Sequence, residues 1–402
     1  MALHGVIMAG GSGTRFWPYS RATMPKQLLK IFSDKSLIQE TVERLEPLIP
    51  AENIHIATNK QLGSLIKKVL PNVNYVIEPV PRSTAACIGL SALYILEQDT
   101  DGIMFIETAD HMYKDPELYI DTIRKAVIAA THDKVALIGI NPSFPHTGYG
   151  YIHAGREYSA DIPDSYVINA FKEKPDSKSA RFFVEDGNYL WNSGMFIARC
   201  LVMLEEIKCY MPALYDGLMR IKTSAFDPTV ISEVFEGLES VSIDYGVMEK
   251  SQNTVVIRSD MPWDDLGDYL ALGRWFVPDA RKNINLSEYE GTAVNCILLS
   301  QTRKIIINNV SNLVVADTPD ATLICSKEYM GKIKRIIEKI KEADLSAYLD
   351  GYVKDYKRNI VAHESEECDI ETDGLIAVVG VSGLEVMRDT KKITIEGTED
   401  DV

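Results

Sequence analysis

Gly10-Gly11-Ser12-Gly13-Thr14-Arg15-Phe16-Trp17-Pro18 stands directly after the short apolar run Gly5–Ala9. Glycines let backbone N–H groups close on a polyphosphate with no Cβ in the way, and the Arg15 guanidinium adds a planar fork of donors. Pro25-Lys26-Gln27 then sets a point cation after a rigid turn. The loop is not a P-loop, because no Gly-Lys-Ser/Thr closes it, and Phe16 takes the place of the last glycine of a dinucleotide fingerprint. Taken singly, these residues read as an ordinary turn and a surface lysine. The same holds for Asp110, which reads alone as a turn or cap aspartate, for Asp265 as a helix cap ahead of Gly267–Leu272, and for Glu173-Lys174 as a surface ion pair.

The elements around these residues give them common positions. From residue 5 to residue 140, the runs Gly5–Ala9, Asn53–Ala57, Val73–Ile77, Gly102–Ile106 and Val135–Ile140 alternate with segments of helical period such as Leu37–Ile49 and Ala85–Leu96. This predicts an α/β fold with a doubly wound, mostly parallel sheet of Rossmann-like plan, in which ligands sit beyond the carboxyl ends of the strands. Further strands are predicted near Val167–Phe171, Leu190–Ile197 and Thr254–Ile257, so residues 1–277 read as one domain. Residues 278–402 read as a small C-terminal β module, starting with Asn295–Ser300, Lys304–Asn309 and Asn312–Ala316; a short left-handed β-helix is one form such a module takes. Lys327–Leu349 is predicted to be a basic helix with a solvated face, and the acidic stretch Glu364–Asp373 a solvated linker. An internal echo relates Val310-Ser311-Asn312-Leu313, Val315 and Asp317-Thr318 to Val381-Ser382-Gly383-Leu384, Val386 and Asp389-Thr390, with one residue inserted in the second copy. It suggests that two β turns, within the repeated element at 375–397 and its counterpart, stack on each other or across a subunit interface.

Composition limits the partners. With 402 residues, 46% hydrophobic and 25% charged, the chain is neither a disulfide-stapled miniprotein nor a disordered one. A formal net charge of −16 opposes unaided approach to nucleic acid or an anionic membrane, so any phosphorylated ligand must be met by local cations. The six cysteines form no C-x-x-C pair, which favours reduced, mostly buried thiols. No secretory signal or membrane-length apolar run is apparent, and the expected location is cytoplasmic.

Together the glycine loop and Met24-Pro25-Lys26 resemble the signature of the sugar-1-phosphate nucleotidyltransferases. The resemblance continues in order through Glu78-Pro79, Arg82, Thr84-Ala85, Ala109-Asp110-His111, Thr147-Gly148-Tyr149-Gly150-Tyr151-Ile152 and Phe171-Lys172-Glu173-Lys174-Pro175. It ends with Trp191-Asn192-Ser193-Gly194-Met195-Phe196, Ser242-Ile243-Asp244-Tyr245 and Trp263-Asp264-Asp265-Leu266-Gly267, covering residues 5–328. The branch it most resembles implies GTP and mannose 1-phosphate as substrates and Mg2+ as cofactor. By the same resemblance Gly10, Gly11, Gly13, Thr14, Glu78, Arg82, Ser83 and Thr84 bind the nucleotide, and Arg15 and Lys26 act on its phosphates. Gly148, Tyr149, Gly150, Glu173, Lys174 and Asn192 bind the sugar phosphate, Lys174 provided that a bulge before Pro175 turns it inward. Asp110 and Asp265 are carried over as metal ligands.

Guanine presents a ring N–H beside an amino group, a donor pair that one carboxylate accepts, and Glu78 is the candidate. The chain departs from the family pattern at Ser83, where Asn is usual. Longer bifunctional relatives carry an isomerase domain for which this chain has neither room nor a His cluster, so a monofunctional enzyme is expected. Residues 352–402 lie beyond the usual family end and are read as a module for homodimerisation, or as a cap that keeps the chain monomeric. Two other functions stay open: the same reaction on another sugar 1-phosphate or nucleotide, and a non-catalytic nucleotide-sugar-binding regulatory subunit. The presence of Arg15, Lys26, Asp110 and Asp265 counts against the second.

Overall fold

The computed structural model describes residues 1–397 other than 12, 352, 354–358 and 366–367. Ser12 of the glycine loop, part of the acidic stretch and the last residues of the C-terminal module therefore lie outside the described residues. Two compact units partition the chain: Met1–Gly10 with Leu37–Trp263, and Gly11–Ser36 with Asp264–Val402. This partition differs from the linear division after residue 277, because the chain after Gly10 folds against the β module. Within the second unit the Tyr269 hydroxyl donates to Phe16 O at 2.8 Å, and Trp17 Nε1 donates to Tyr348 O at 2.9 Å.

The first unit is built on a nine-stranded sheet. Its strands are β1 (Leu3–Met8), β2 (Ile54–Asn59), β3 (Asn74–Glu78), β4 (Ile103–Thr108), β5 (Val135–Ile140), β6 (Tyr151–Glu157), β7 (Ser165–Lys172), β8 (Tyr189–Arg199) and β9 (Thr254–Ser259). They lie in the order β3-β2-β1-β4-β8-β5-β9-β7-β6. All but β7 and β8 run in one direction. Side chains alternate across the sheet, so its two faces take different helices. Val6 packs in one core with the buried side of Ser83–Gln98, whereas the bare Cα of Gly5 faces Leu45 and Ile49 from the segment that begins with the helix Leu37–Leu45. Leu37, Ile38, Val42 and Leu45 are fully or nearly fully buried, each worth about 1.5–3 kcal/mol of transfer free energy.

The register makes the strand ends level: Met8 pairs with Ala57 and Thr108, and Asn59 with Glu78. Glu78, Gly10 and the Ala109-Asp110-His111 turn therefore leave the sheet at the same carboxyl edge.

In the second unit a six-stranded and a five-stranded sheet, paired largely in parallel, enclose one core that includes Ile305, Ile307, Val315, Ile324, Val378, Val386 and Ile395. The two echo copies are hairpins, Leu313–Asp317 with Ala321–Ser326 and Leu384–Arg388 with Lys392–Gly397. They stand in different sheets and share that core rather than stacking strand on strand. The two hairpins share one register, Asp317 pairing with Thr322 and Arg388 with Ile393, so the expected insertion is instead a replacement: Arg388 takes the position of Asp317, and its buried guanidinium lies 3.4 Å from Asp317 of the first copy.

Two local expectations are corrected. Lys327–Leu349 is not one helix: Lys327–Lys332 is a three-residue-per-turn segment that lines up Met330 with Ile333, followed by Ile333–Glu342, a turn with Asp344 at φ +57°, and Ala347–Asp350. The isoleucines are buried as their spacing predicts. Within the acidic stretch, Asp369–Thr372 forms a strand parallel to Leu384–Arg388, because Ile370 and Thr372 alternate inward between exposed Asp369 and Glu371. All six cysteines are free thiols, four of them buried. No described helix is long and apolar enough to cross a membrane.

Candidate active site

Glu78 ends β3 and is 9% exposed. Its Oε1 has no hydrogen-bond partner among the described residues, while the Cys87 thiol bonds the carboxyl from the helix Ser83–Gln98. Burial pushes the Glu78 pKa up to about 7, and the Cys87 bond offsets part of that rise. A buried carboxyl with an unused acceptor suits a ligand that brings N–H groups.

The neighbouring loop is tied inward instead. Arg82 donates through Nε to Phe235 O at 2.5 Å and through Nη2 to Glu236 O at 2.6 Å, so its guanidinium closes the carboxyl end of the helix Pro228–Gly237. Thr84 Oγ1 accepts from Ile243 N at 2.9 Å. Ser83 lies at φ +63°, a conformation that asparagine tolerates better than serine. Ser83→Asn is accordingly expected to stabilise the protein by about 0.5–1 kcal/mol, measured as a rise in the chemical-denaturation midpoint with unchanged slope. A fall would mean that the serine hydroxyl makes a bond worth more than the relieved backbone.

The sugar-binding candidates converge in the first unit. A Cβ on Gly150 would come within 2.4 Å of Glu173 Oε2 and 3.2 Å of Asn192 Cβ, so the bare backbone is what admits both side chains. Asn192 N donates to Gly150 O at 2.8 Å, and its side chain is fixed twice, donating to Asp244 Oδ1 at 2.9 Å and accepting from Gly194 N at 3.2 Å. Gly194 supplies the φ of +74° that breaks the regular run of β8 there. Lys174 adopts φ +45°, and Nζ reaches Glu173 Oε1 at 2.8 Å. The backbone turn before Pro175 thus brings the lysine to the Glu173 side. Tyr149 stacks on His146 with ring centroids 3.8 Å apart and stands against Trp191 and Trp263. The Gly148 amide is taken by His146 Nδ1.

Asp244 belongs to this cluster and was not among the sequence candidates. Burial, then the charge of Glu173, pushes its pKa up to about 6, while Asn192 and Lys174 pull it down. Its signal in the sequence was the Ser242-Ile243-Asp244-Tyr245 segment, whose partner Asn192 is 52 residues away.

Asp110, partly exposed, sits in the turn after β4. That turn is braced by Ala109 N donating to Met8 O at 3.1 Å, by Trp263 Nε1 donating to His111 Nδ1 at 3.3 Å, and by Arg44, which bonds His111 O and buried Glu107.

The second unit carries the other candidates. Gly11 and Gly13 have φ of +84° and +61°, and Gly13 opens the turn Thr14–Phe16. A Cβ on Gly13 would lie 2.3 Å from Lys26 Cβ. Only glycine satisfies both the left-handed backbone and that contact. Lys26 is 6% exposed, donates to Asp265 O at 3.1 Å and lies 5.6 Å from the Phe16 ring centre. Arg15 Nη1 and both Asp265 carboxylate oxygens crowd the open side of Gly267, within 3.3–3.4 Å of where a Cβ would stand. The adjacent aspartates divide their work. Asp264, 3% exposed, holds Arg274 and the amide of Leu266, itself left-handed at φ +46°. Asp265 stays partly exposed and accepts from Gly267 N at 3.0 Å. The cap of the following turn is Asp268, not Asp265.

A family model described as nucleotidyl transferase matches residues 4–277, and one described as MannoseP isomerase/GMP-like beta-helix domain matches residues 292–340. A relative from Klebsiella pneumoniae named mannose-1-phosphate guanylyltransferase is 34% identical over 85% of this chain and 75% of its own length. One of the same name from Escherichia coli is 33% identical over the same shares. A crystal structure from Thermus thermophilus, described as a mannose-1-phosphate geranyltransferase, superposes with a TM-score of 0.77 at 30% identity, covering 85% of this chain and all of that one. A Helicobacter pylori structure described as mannose-6-phosphate isomerase has a TM-score of 0.54 at 26% identity over 66% of this chain and all of that one.

Proposed function

The chain belongs to the nucleotidyl transferase family, as a relative of the mannose-1-phosphate guanylyltransferases, and on that premise we propose that it transfers GMP from GTP to mannose 1-phosphate. The products are GDP-mannose and pyrophosphate. The observation that carries this reading is the gathering of two cationic donors, Arg15 and Lys26, around Gly13 and Gly267 with the Asp265 carboxylate beside them, a set that suits a polyphosphate and a divalent cation.

A sugar 1-phosphate, with a second pKa of about 6, is largely a dianion at pH 7 and needs no general base. Its oxygen forms the new bond to the α-phosphorus as the bond to the bridging oxygen of pyrophosphate breaks. Arg15 and Lys26 take up the charge that gathers on the leaving group. Glu173, Asn192 and the Gly150 backbone orient the hexose hydroxyls, Lys174 meets the attacking phosphate, and Glu78 accepts from guanine.

Asp110 and Asp265 are proposed, residue by residue from the family pattern, to hold Mg2+, which when bound would neutralise phosphate oxygens. Both carry partly exposed, hard carboxylate oxygens. Among the described residues no group of three or more His, Cys, Asp or Glu forms a cage, which fits a cation that keeps water and substrate oxygens as ligands. A cytoplasmic location and a homodimer formed through the C-terminal module complete the proposal.

Purified protein with GTP, mannose 1-phosphate and Mg2+ is expected to release pyrophosphate, and the Asp110→Asn variant to release about 10²-fold less or lower still. Wild-type release no greater than that of the variant would overturn the reading in favour of a binding subunit. A preference for UTP or dTTP over GTP would reassign the nucleotide.

A further inference from the structure

Arg21 is 2% exposed, in a residue class almost never buried unless paired. Its Nε donates to Pro18 O at 2.6 Å, Nη2 donates to Thr318 Oγ1 at 3.3 Å and Asp320 Oδ1 at 3.2 Å, and Nη1 donates to the Tyr348 carbonyl. Trp17 Nε1 shares that carbonyl. The amides of Ala22 and Thr23 donate to Leu349 O and Asp350 O, both at 2.9 Å. The backbone that joins Arg15 to Lys26 is therefore stitched to residues 348–350 along most of its length.

The anchor has a second layer. Asp320 Oδ2 accepts from Val353 N at 2.9 Å, and Thr318 Oγ1 donates to Asp320 Oδ1 at 3.1 Å. The Thr318 carbonyl accepts from Arg303 Nη1 at 2.9 Å and Arg388 Nη2 at 3.1 Å, and the Pro319 carbonyl accepts from both arginines at 2.9 and 3.0 Å. Asp317 pairs with the same two guanidinium groups. Apolar residues stabilise a core at least as well as such an ion cluster does; a fully bonded polar network instead holds one geometry. Arg388 holds the position in the second echo copy that Asp317 holds in the first, so the C-terminal strand supplies part of this network.

We infer that Arg21 and Asp320 are positioning residues for the phosphate loop: through the Thr318-Pro319-Asp320 turn, which Arg303 and Arg388 hold by its carbonyls, the C-terminal module sets the placement of Arg15 and Lys26. The inference rests on the role proposed above for those two cations. Its consequence is that residues 348–350, Val353 and the strand Leu384–Arg388 serve the reaction itself, whatever the oligomeric state.

The test compares full-length wild type with Arg21→Lys, Asp320→Asn and Arg388→Met by thermal unfolding, GTP binding, pyrophosphate release and amide hydrogen exchange. Variants that unfold cooperatively are expected to bind GTP within about threefold of wild type while kcat falls about tenfold or more. Amides of residues 13–27 should exchange about tenfold faster or more, with those of β5 unchanged. Arg388→Met is the arm that leaves the loop and Arg21 intact, and it should accelerate the same amides. Unchanged exchange in residues 13–27 would overturn the inference, as would acceleration spread evenly over the chain or kcat and GTP affinity lost in equal measure. If wild type releases no pyrophosphate, the proposed function fails, and the exchange measurement still decides whether the network positions the loop.

Discussion

Replacing Lys26 by alanine is expected to lower kcat about 10²–10³-fold while raising the KM for GTP by less than about tenfold. The argument is one of placement. Lys26 is almost wholly buried, its backbone is pressed against the bare Cα of Gly13, and its Nζ is held beside the Asp265 carbonyl. An ammonium so fixed cannot follow the ground-state charge of GTP as a surface lysine would; it gains most when charge accumulates on the departing pyrophosphate. Steady-state kinetics with varied GTP, together with direct GTP binding, separate the two quantities. Equal losses would make Lys26 a ground-state contact only. Lys26→Arg is expected to recover little, because the larger planar head must occupy a space already bounded by Phe16 and Asp265.

The strands and the sheet edge that carries Glu78, Gly10 and Asp110 were legible because β-branched runs and turn residues are local signals. Every predicted strand from Gly5–Ala9 to Thr254–Ile257 has an observed counterpart. What stayed hidden depended on partners distant in sequence or on single backbone angles. Alternation along a strand puts Lys174 opposite Glu173; only its φ of +45° brings the two together. Asp244 is an ordinary aspartate until Asn192 and Glu173 stand beside it. Arg82 was carried over as a nucleotide-binding residue, yet the helix Pro228–Gly237, remote in sequence, ends where its guanidinium can close the free carbonyls. The mismatch at Arg388 was visible as a break in the repeat, but its purpose required Asp317, its counterpart 71 residues earlier.

The distribution of charge gives the same lesson at larger scale. On the proposed function, a chain of net charge −16 would meet two anionic substrates with a few cations, Arg15, Lys26 and Lys174, kept beside backbone that is bent out of regular structure. Left-handed residues recur among the candidate residues and their neighbours in each unit, at Ser83, Lys174 and Gly194 in the first and at Gly13 and Leu266 in the second. The surrounding core must hold each of them in place, and buried carboxylates do part of this: Asp264, 3% exposed, fixes the Leu266 amide, and Glu107, fully buried, holds the Arg44 guanidinium.

Glu78→Gln is expected to abolish most of the preference for guanine and to flatten the pH dependence of GTP binding. In the free protein the carboxyl, with its pKa pushed up to about 7 chiefly by burial, is about half protonated at neutral pH. Only the carboxylate accepts both donors of guanine. Wild-type affinity for GTP should therefore be full above pH 8 and fall about tenfold per pH unit below pH 6, and binding at pH 7 should release about half a proton, measurable by calorimetry in buffers of different ionisation enthalpy. The glutamine variant offers one acceptor and two donors, so GTP should bind about 10²-fold more weakly at pH 8, with ATP and UTP little changed. Stability should move the other way. A carboxyl whose folded pKa is raised contributes stability below its unfolded pKa of about 4.5 and loses it as pH rises through 7, so above pH 7 Glu78→Gln should unfold at higher denaturant, by on the order of 3 kcal/mol. A variant less stable than wild type at pH 8 that keeps its discrimination against ATP would show that Glu78 is paired in the core and that guanine is read elsewhere.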